Sequence, residues 1–368
     1  MDNTKFEKQI IKTGFVLEHN ISTALRRKGW SVISNKYYLD DNEETVREID
    51  LIAYKATKVQ HFFVYTALVI SCKKNEANVW ALLSRPLDKS DPNRNWNPVH
   101  AWTNDKALGF QLSQPDFGAD YHTKGGEKVL RALADPMFDI FAFQEMCRQS
   151  GAPKNDKAIF NSVTSLMKAQ AYELRALPTR KTVPSIYHFS LISVIDSEMI
   201  RLLFDGDDLS ASDLCSEQYL ANYIIDKKQN VSRIRFLRAK EFEETISDYD
   251  ELHAFNCKVF SDYCDDFYEG VLEDWNRTKI FIEKFRKDVW WGLHWRIYKT
   301  YNINLKKETI SLSWCYEDRV VVVTLPLEDE HLDFLNEDAE SRKTVTRALE
   351  SIYRYKGSFL FAEDDIPF

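Results

Sequence analysis

The chain has 368 residues, 44% of them apolar and 29% charged, which excludes wholesale disorder and allows two domains, or one with large insertions. No run approaches the roughly 20 apolar residues of a bilayer-spanning helix, so an integral helical membrane protein is not expected. The net charge of −8, from 49 basic and 57 acidic residues, argues against a nonspecific nucleic-acid binder that is basic throughout.

The N-terminus, MDNTKFEKQIIKTGF, is polar and lacks the apolar core of a secretory leader. Residues 4–28 read as one helix, capped by Asp2, Asn3 or Thr4 and ended by Gly29, with Ile11, Phe15, Leu17, Ile21 and Leu25 as its apolar stripe. Glu18 falls within that stripe. A short strand is expected at 30–34 and a polar turn at 40–45. Strands follow at 46–54, with charged and apolar positions alternating, and at 61–73, where Val64–Ile70 is nearly continuous and apolar.

Residues 86–126 are rich in proline, glycine and aromatic residues and read as a long loop or insertion. Helices are expected at about 127–149 and 155–177. Ser185–Val194 and Met199–Phe204 read as a hairpin turning near Asp196-Ser-Glu198, and Val231–Leu237 as a further strand. The block 241–275 holds twelve acids against Lys258 alone, whereas residues 1–240 hold 33 bases against 29 acids. The acidity is therefore local. That block is expected to be helical in two pieces, followed by an aromatic-rich helix at 276–300, a hairpin at 310–325 and a last helix at 339–355.

The chemistry concentrates in the first 75 residues. Glu48 and Asp50 stand two apart in VREIDLIAY, as do Ser71 and Lys73 in LVISCKK, so the members of each pair are expected to share a face of their strand. Carboxylates on a strand and a helix, with a lysine on the neighbouring strand, suit a hydrolytic site. The acids can hold Mg²⁺ through oxygen, and the lysine can orient water and neutralise phosphate.

On these residues the chain resembles the PD-(D/E)xK nuclease superfamily, in particular its Mrr-like restriction-endonuclease branch. GFVLEHNISTALRRKGWSV matches the helix with its glutamate, Glu18; REIDLIAY supplies Asp50; LVISCKK supplies Lys73. The match covers about residues 10–80. The glutamate of the family's E-x-K is replaced by Ser71, and Ser71→Glu would be expected to restore a ligand. The resemblance implies an α/β fold with a restriction-endonuclease-like core, a central mixed sheet flanked by helices. The nuclease domain would be residues 1–240, with an insertion at about 75–156. Residues 241–368 would form an acidic, aromatic-rich α+β extension.

The resemblance further implies Asp50, Lys73, Glu18 and Ser71 as catalytic residues. Asp50, Glu18, Ser71 and Glu48 would be the ligands of Mg²⁺, with Mn²⁺ as substitute. The expected function is a metal-dependent endonuclease hydrolysing DNA, or RNA, in bacterial restriction or antiviral defence. Nucleic-acid contacts are expected from Arg26, Arg27 and Lys28, from Arg94 and Trp96, from Lys168 and Tyr172, and from Lys227, Lys228, Arg233 and Arg235. The alternative is a catalytically weakened nuclease fold serving as a nucleic-acid or protein interaction module, whose partner is another protein or a second copy of the chain.

Other chemistries find no support. The eight histidines show no HxxxH or HxH spacing, and no GxxxxGK[ST], GxGxxG or GxSxG occurs. Cys72 should face away from Ser71 and Lys73. Six cysteines without a CxxC pair argue against a disulfide framework or zinc ribbon, so a reducing cytoplasm is the expected compartment.

Overall fold

The computed structural model describes residues 3–40, 45–92, 94–126 and 130–363. In chain order the first elements are α1 (Thr4–Ile10), α2 (Gly14–Arg27), β1 (Ser31–Asp40), β2 (Thr45–Val59), β3 (Phe62–Lys74) and β4 (Asn78–Pro86). There follow β5 (Ala101–Thr103), α3 (Lys106–Leu112), α4 (Phe117–Gly126), β6 (Phe138–Cys147), α5 (Lys157–Arg180) and β7 (Ser185–Asp196). Next come β8 (Met199–Asp205), β9 (Asp208–Asp213), β10 (Ser216–Ile225), β11 (Lys228–Arg238), α6 (Phe242–Tyr268) and α7 (Trp275–Tyr301). The chain ends with β12 (Ser311–Cys315), β13 (Val320–Thr324), α8 (Asp329–Glu337), α9 (Ala339–Tyr353) and β14 (Phe359–Ala362).

These elements form two compact units. One comprises residues 1–105 and 112–261, the other 106–111 and 262–368. The division falls inside α6, later than the boundary expected at 240, because the helix continues unbroken through the acidic block.

The larger unit is an α/β structure built on a mixed sheet in the order β1-β2-β3-β7-β11-β10. β1/β2, β2/β3 and β10/β11 are antiparallel, whereas β3/β7 and β7/β11 are parallel. A parallel neighbour for β3 requires a crossover, and α5 lies on that crossover. One face of the sheet packs on α5: Ala67, Val69, Tyr187 and Leu191 join Ile159, Val163, Leu166 and Met167 in one core. The alternate side chains Leu51, Leu68 and Ile70 are also fully buried, and α2 lies against these strands with Leu17, Ile21 and Leu25 buried. Burial on both faces explains why β3 and β7 read as apolar runs rather than alternations.

Four expectations are corrected. The first helix is broken at Ile11–Thr13, and Thr13 becomes the N-cap residue of α2. The helix expected at 127–149 is the strand β6 over its later part; residues 127–129 lie outside the described residues. β7 and β8 do not form a hairpin, because β8 leaves for a second sheet in the order β6-β4-β8-β9. Of that sheet, β4 and β6 lie in the expected insertion and β8 and β9 after it. The acidic stretch holds one helix of 27 residues, α6, instead of two pieces.

The smaller unit has its own core. Ile282, Phe285, Val289, Leu293 and Ile297 of α7, at helical spacing, pack with Val345 and Leu349 of α9 and with Val321 and Val323 of β13. Its sheet runs β12-β13-β14, so the expected final hairpin is present and gains a parallel third strand. Asp274 caps α7 by accepting from Asn276 N, and the left-handed Asn302 closes it.

Candidate functional site

Asp50 occupies an interruption in the sheet. β1 pairs with β2 on both sides of it, Ser34 with Leu51 and Lys36 with Ile49, but Asn35 adopts a left-handed conformation (φ 53°) and leaves the ladder opposite Asp50. Asparagine is among the few residues that tolerate this region. Its amide donates to Glu48 Oε1 at 2.5 Å. The facing of β2 changes here, since Ile49 and Ile52, three residues apart, both join the α5-side core. A regular strand would place them on opposite faces.

The β2–β3 ladder ends at Leu51–Ile70, one step before Asp50. The freed carboxylate takes up the next backbone donor: Cys72 N donates to Asp50 Oδ2 at 2.6 Å. Lys73 Nζ stands 3.5 Å from the same oxygen, with the lysine side chain 32% exposed. Glu18 approaches from α2, which lies against these strands. Burial pushes its carboxyl above the ordinary value of 4.5, and the negative charges of Asp50 and Glu48 push it further, with Lys73 pulling the other way. Glu18, Glu48, Asp50 and Lys73 therefore form one electrostatic neighbourhood, with three carboxylates for one ammonium.

Ser71 is placed differently. It alternates with Ala67 and Val69, which belong to the α5-side core, and its side chain is 1% exposed with the hydroxyl making no hydrogen bond. Its neighbour across the parallel ladder is Ser193, which bonds Ser162 of α5 at 2.8 Å. The hydroxyl expected as a ligand thus points into the core. Cys72 does face away from Ser71, as expected, and that is the side of Asp50 and Glu18. Burial, then those two carboxylates, raise its thiol well above the ordinary value of 9.0, so it is a poor nucleophile.

No protein-family model, curated protein or solved structure matches the chain. Among the described residues, no three His, Cys, Asp or Glu side chains are grouped so as to hold a metal ion. The donor set nevertheless suits a hard divalent cation in kind. It consists of carboxylate oxygens, the ligand type such a cation takes. No described helix is long and apolar enough to cross a membrane.

The expected nucleic-acid contacts divide into two groups. Arg27 and Lys28 at the end of α2 are exposed, as are Lys227 and Lys228 at the turn between β10 and β11. Arg26 is exposed as well, but its guanidinium donates to Ser22 Oγ at 3.3 Å and to the Val32 carbonyl at 2.9 Å. Asp226 and Lys227 both have positive φ there (52° and 62°), as a tight two-residue hairpin requires. The remaining cations are committed internally. Arg94 pairs with Asp139 at 2.5 Å and lies over the Trp96 ring. Lys168 pairs with Asp40 at 2.7 Å, and Tyr172 packs against Tyr38. Arg233 donates to the carbonyls of Ala134 and Trp96, and Arg235 pairs with Asp248 at 2.7 Å with both side chains 11% exposed. These four cations are engaged in ion pairs or carbonyl contacts within the unit.

Two residues of the neighbourhood escape a reading of the sequence alone. Asn35 sets Glu48 and frees Asp50, but its left-handed turn has no flanking glycine to announce it. The Cys72 contribution is a backbone N–H, which carries no residue-type signal.

Proposed function

We propose that the chain is a metal-dependent phosphodiesterase acting on nucleic acid, with a restriction-endonuclease-like core formed by α2-β1-β2-β3-α5-β7. The observation that carries this reading is Asp50: a carboxylate released from the sheet, with Lys73 and Glu18 beside it on the elements that the family resemblance assigns. Asp50, Glu18 and Glu48 would hold Mg²⁺ or Mn²⁺, which would supply Lewis-acid neutralisation of the phosphate. Lys73 would place a positive charge beside the scissile phosphate and orient the attacking water. Arg26, Arg27 and Lys28, on the helix that carries Glu18, would contact the phosphate backbone. DNA is the expected substrate; RNA offers the same phosphodiester.

The test is cleavage of plasmid DNA and of a single-stranded RNA with Mg²⁺ or Mn²⁺, run beside Lys73→Ala. Activity that the substitution removes supports the reading; activity equal in both proteins places the chemistry elsewhere or in a contaminant.

A second reading, a nuclease fold retained as an interaction module, draws support from Ser71. Its burial leaves the lysine strand without the family's carboxylate. Absence of cleavage with either metal, together with nucleic-acid binding, would favour it.

A further inference from the structure

A cleft of about 550 Å³ opens between the last turns of α5 and strands β1, β2, β3 and β7, a volume in the range of small-molecule sites. None of Glu18, Asp50, Ser71 or Lys73 lines it. Its lining carries Lys36, Lys55, Arg180 and Lys181 against one carboxylate, Glu173.

Glu173 is 2% exposed and heavily engaged. It accepts from Lys36 at 2.7 Å, from Arg180 at 3.1 Å and from the Tyr54 hydroxyl at 3.4 Å. Burial, and then Glu173 itself, raise the Tyr54 phenol above its ordinary value of 10.0, which keeps it a donor. One buried carboxylate can neutralise only one of its two cationic partners, so it orients Lys36 and Arg180 while leaving positive charge over. Lys55 finds a counter-ion in Asp250 at 2.7 Å. Lys181, just past the end of α5, makes ring contacts and no ion pair among the described residues.

The other half of the cleft is aromatic. Tyr65 and Tyr187 stack with centroids 4.2 Å apart and planes 3° apart, and Tyr54 meets Tyr187 edge-on. Lys181 Nζ sits 4.6 Å from the Tyr65 centroid and 5.3 Å from the Tyr187 centroid, beside the stacked pair, so it does not cover the outer face of Tyr65. A flexible ammonium beside a ring pair is held more weakly than a stacked base. It stands within reach of a phosphate whose base lies on Tyr65.

We propose that this cleft binds a nucleoside phosphate, the phosphate held by Lys36, Arg180 and Lys181 and the base laid on Tyr65. The guanidinium and the two ammonium groups suit phosphate oxygens, and a planar base suits the tyrosine pair. A free nucleotide and one nucleotide of a nucleic-acid strand share this chemistry.

The experiment is equilibrium binding to the full chain in EDTA, where no metal-dependent cleavage intervenes. The probes are ATP, inorganic tripolyphosphate and a short single-stranded oligonucleotide. Arg180→Ala and Lys181→Ala remove exposed or half-buried side chains, and Tyr65→Leu removes the stacking face while keeping an apolar group. The inference predicts that ATP or the oligonucleotide binds at least about tenfold more tightly than tripolyphosphate. Each substitution should weaken that binding by about tenfold, the loss of one good contact. Binding of ATP that the oligonucleotide does not displace identifies a free nucleotide; binding of the oligonucleotide alone identifies a strand. Failure of both, equal binding of tripolyphosphate, or indifference to all three substitutions in folded proteins overturns the inference. Because the readout is binding without catalysis, a silent Lys73→Ala cleavage assay leaves it standing.

Discussion

The backbone N–H of Cys72 donates to Asp50 Oδ2 at 2.6 Å, a hydrogen bond that joins β2 to β3 one step beyond the end of their ladder. It uses a side chain where a strand would use a carbonyl, and so it fixes the carboxylate without closing the sheet over it. Among the described residues the other Asp50 oxygen makes no hydrogen bond, and the Lys73 side chain is 32% exposed.

Replacing Asp50 therefore separates chemistry from stability. Asp50→Ala leaves the buried Cys72 N–H without its partner, a loss of about 1–3 kcal/mol. Cleavage should fall by about a hundredfold or more if this oxygen set holds the metal. Plasmid cleavage and urea denaturation of the same preparation check both halves. Near-wild-type cleavage in a folded Asp50→Ala protein would remove Asp50 from the site.

Ser71 reverses the expectation formed from sequence. A family carboxylate at this position looks restorative when Ser71 is thought to face the opening. With the side chain 1% exposed in the α5-side core, Ser71→Glu inserts a charge among apolar groups. Unpaired, it should destabilise by several kcal/mol or shift to the protonated acid. Ser71→Ala removes an unbonded hydroxyl and should be neutral or slightly stabilising. Melting temperatures of the two variants decide the matter; a Ser71→Glu protein as stable as wild type and more active would place the side chain at the opening after all.

The contrast between these two positions marks what the sequence could convey. Val64–Ile70 is legible as a buried strand because both of its faces are covered, and Asp50 is legible as a charge on a strand where charged and apolar positions alternate. Ser71 keeps the alternation of Ala67 and Val69, but both faces of β3 are buried, so periodicity does not tell which face meets the opening. The helix expected at 127–149 gives way to a strand over Phe138–Cys147. Its pairing with β4, some 60 residues earlier in the chain, decides in favour of strand. The turn near Asp196-Ser-Glu198 was legible too, but a local signal cannot tell that β7 and β8 continue into different sheets.

Glu18 gives a pH signature. Its carboxyl is raised above 4.5 by burial and by Asp50 and Glu48, so the folded state holds the proton more tightly than the unfolded chain does. The penalty for ionising Glu18 is absent below pH 4.5 and grows as pH rises through the folded-state value. Glu18→Gln should then match wild type at pH 4 and exceed its melting temperature increasingly toward neutrality. Mg²⁺, by neutralising the carboxylates, should narrow that difference at pH 7 by stabilising the wild type alone. Thermal melts across pH with and without Mg²⁺ measure both effects; a difference independent of pH would show that Glu18 does not feel its neighbours.

Arg235 and Asp248 supply the last prediction, because they distinguish a structural cation from a nucleic-acid contact. Each side chain is 11% exposed and they lie 2.7 Å apart, while Arg235 also donates to Ser216 Oγ at 2.9 Å. Asp248→Asn leaves a buried guanidinium without its counter-charge, a change that typically destabilises by about 3–5 kcal/mol. The double substitution Arg235→Met with Asp248→Leu removes both charges, and should recover much of that loss because apolar residues of similar size replace a desolvated pair. Nucleic-acid affinity of the folded double variant should equal wild type at low salt, whereas Arg27→Ala should weaken binding and reduce its salt dependence. If the double variant instead binds more weakly with a shallower salt slope, Arg235 reaches phosphate, and the pair with Asp248 must open in the complex.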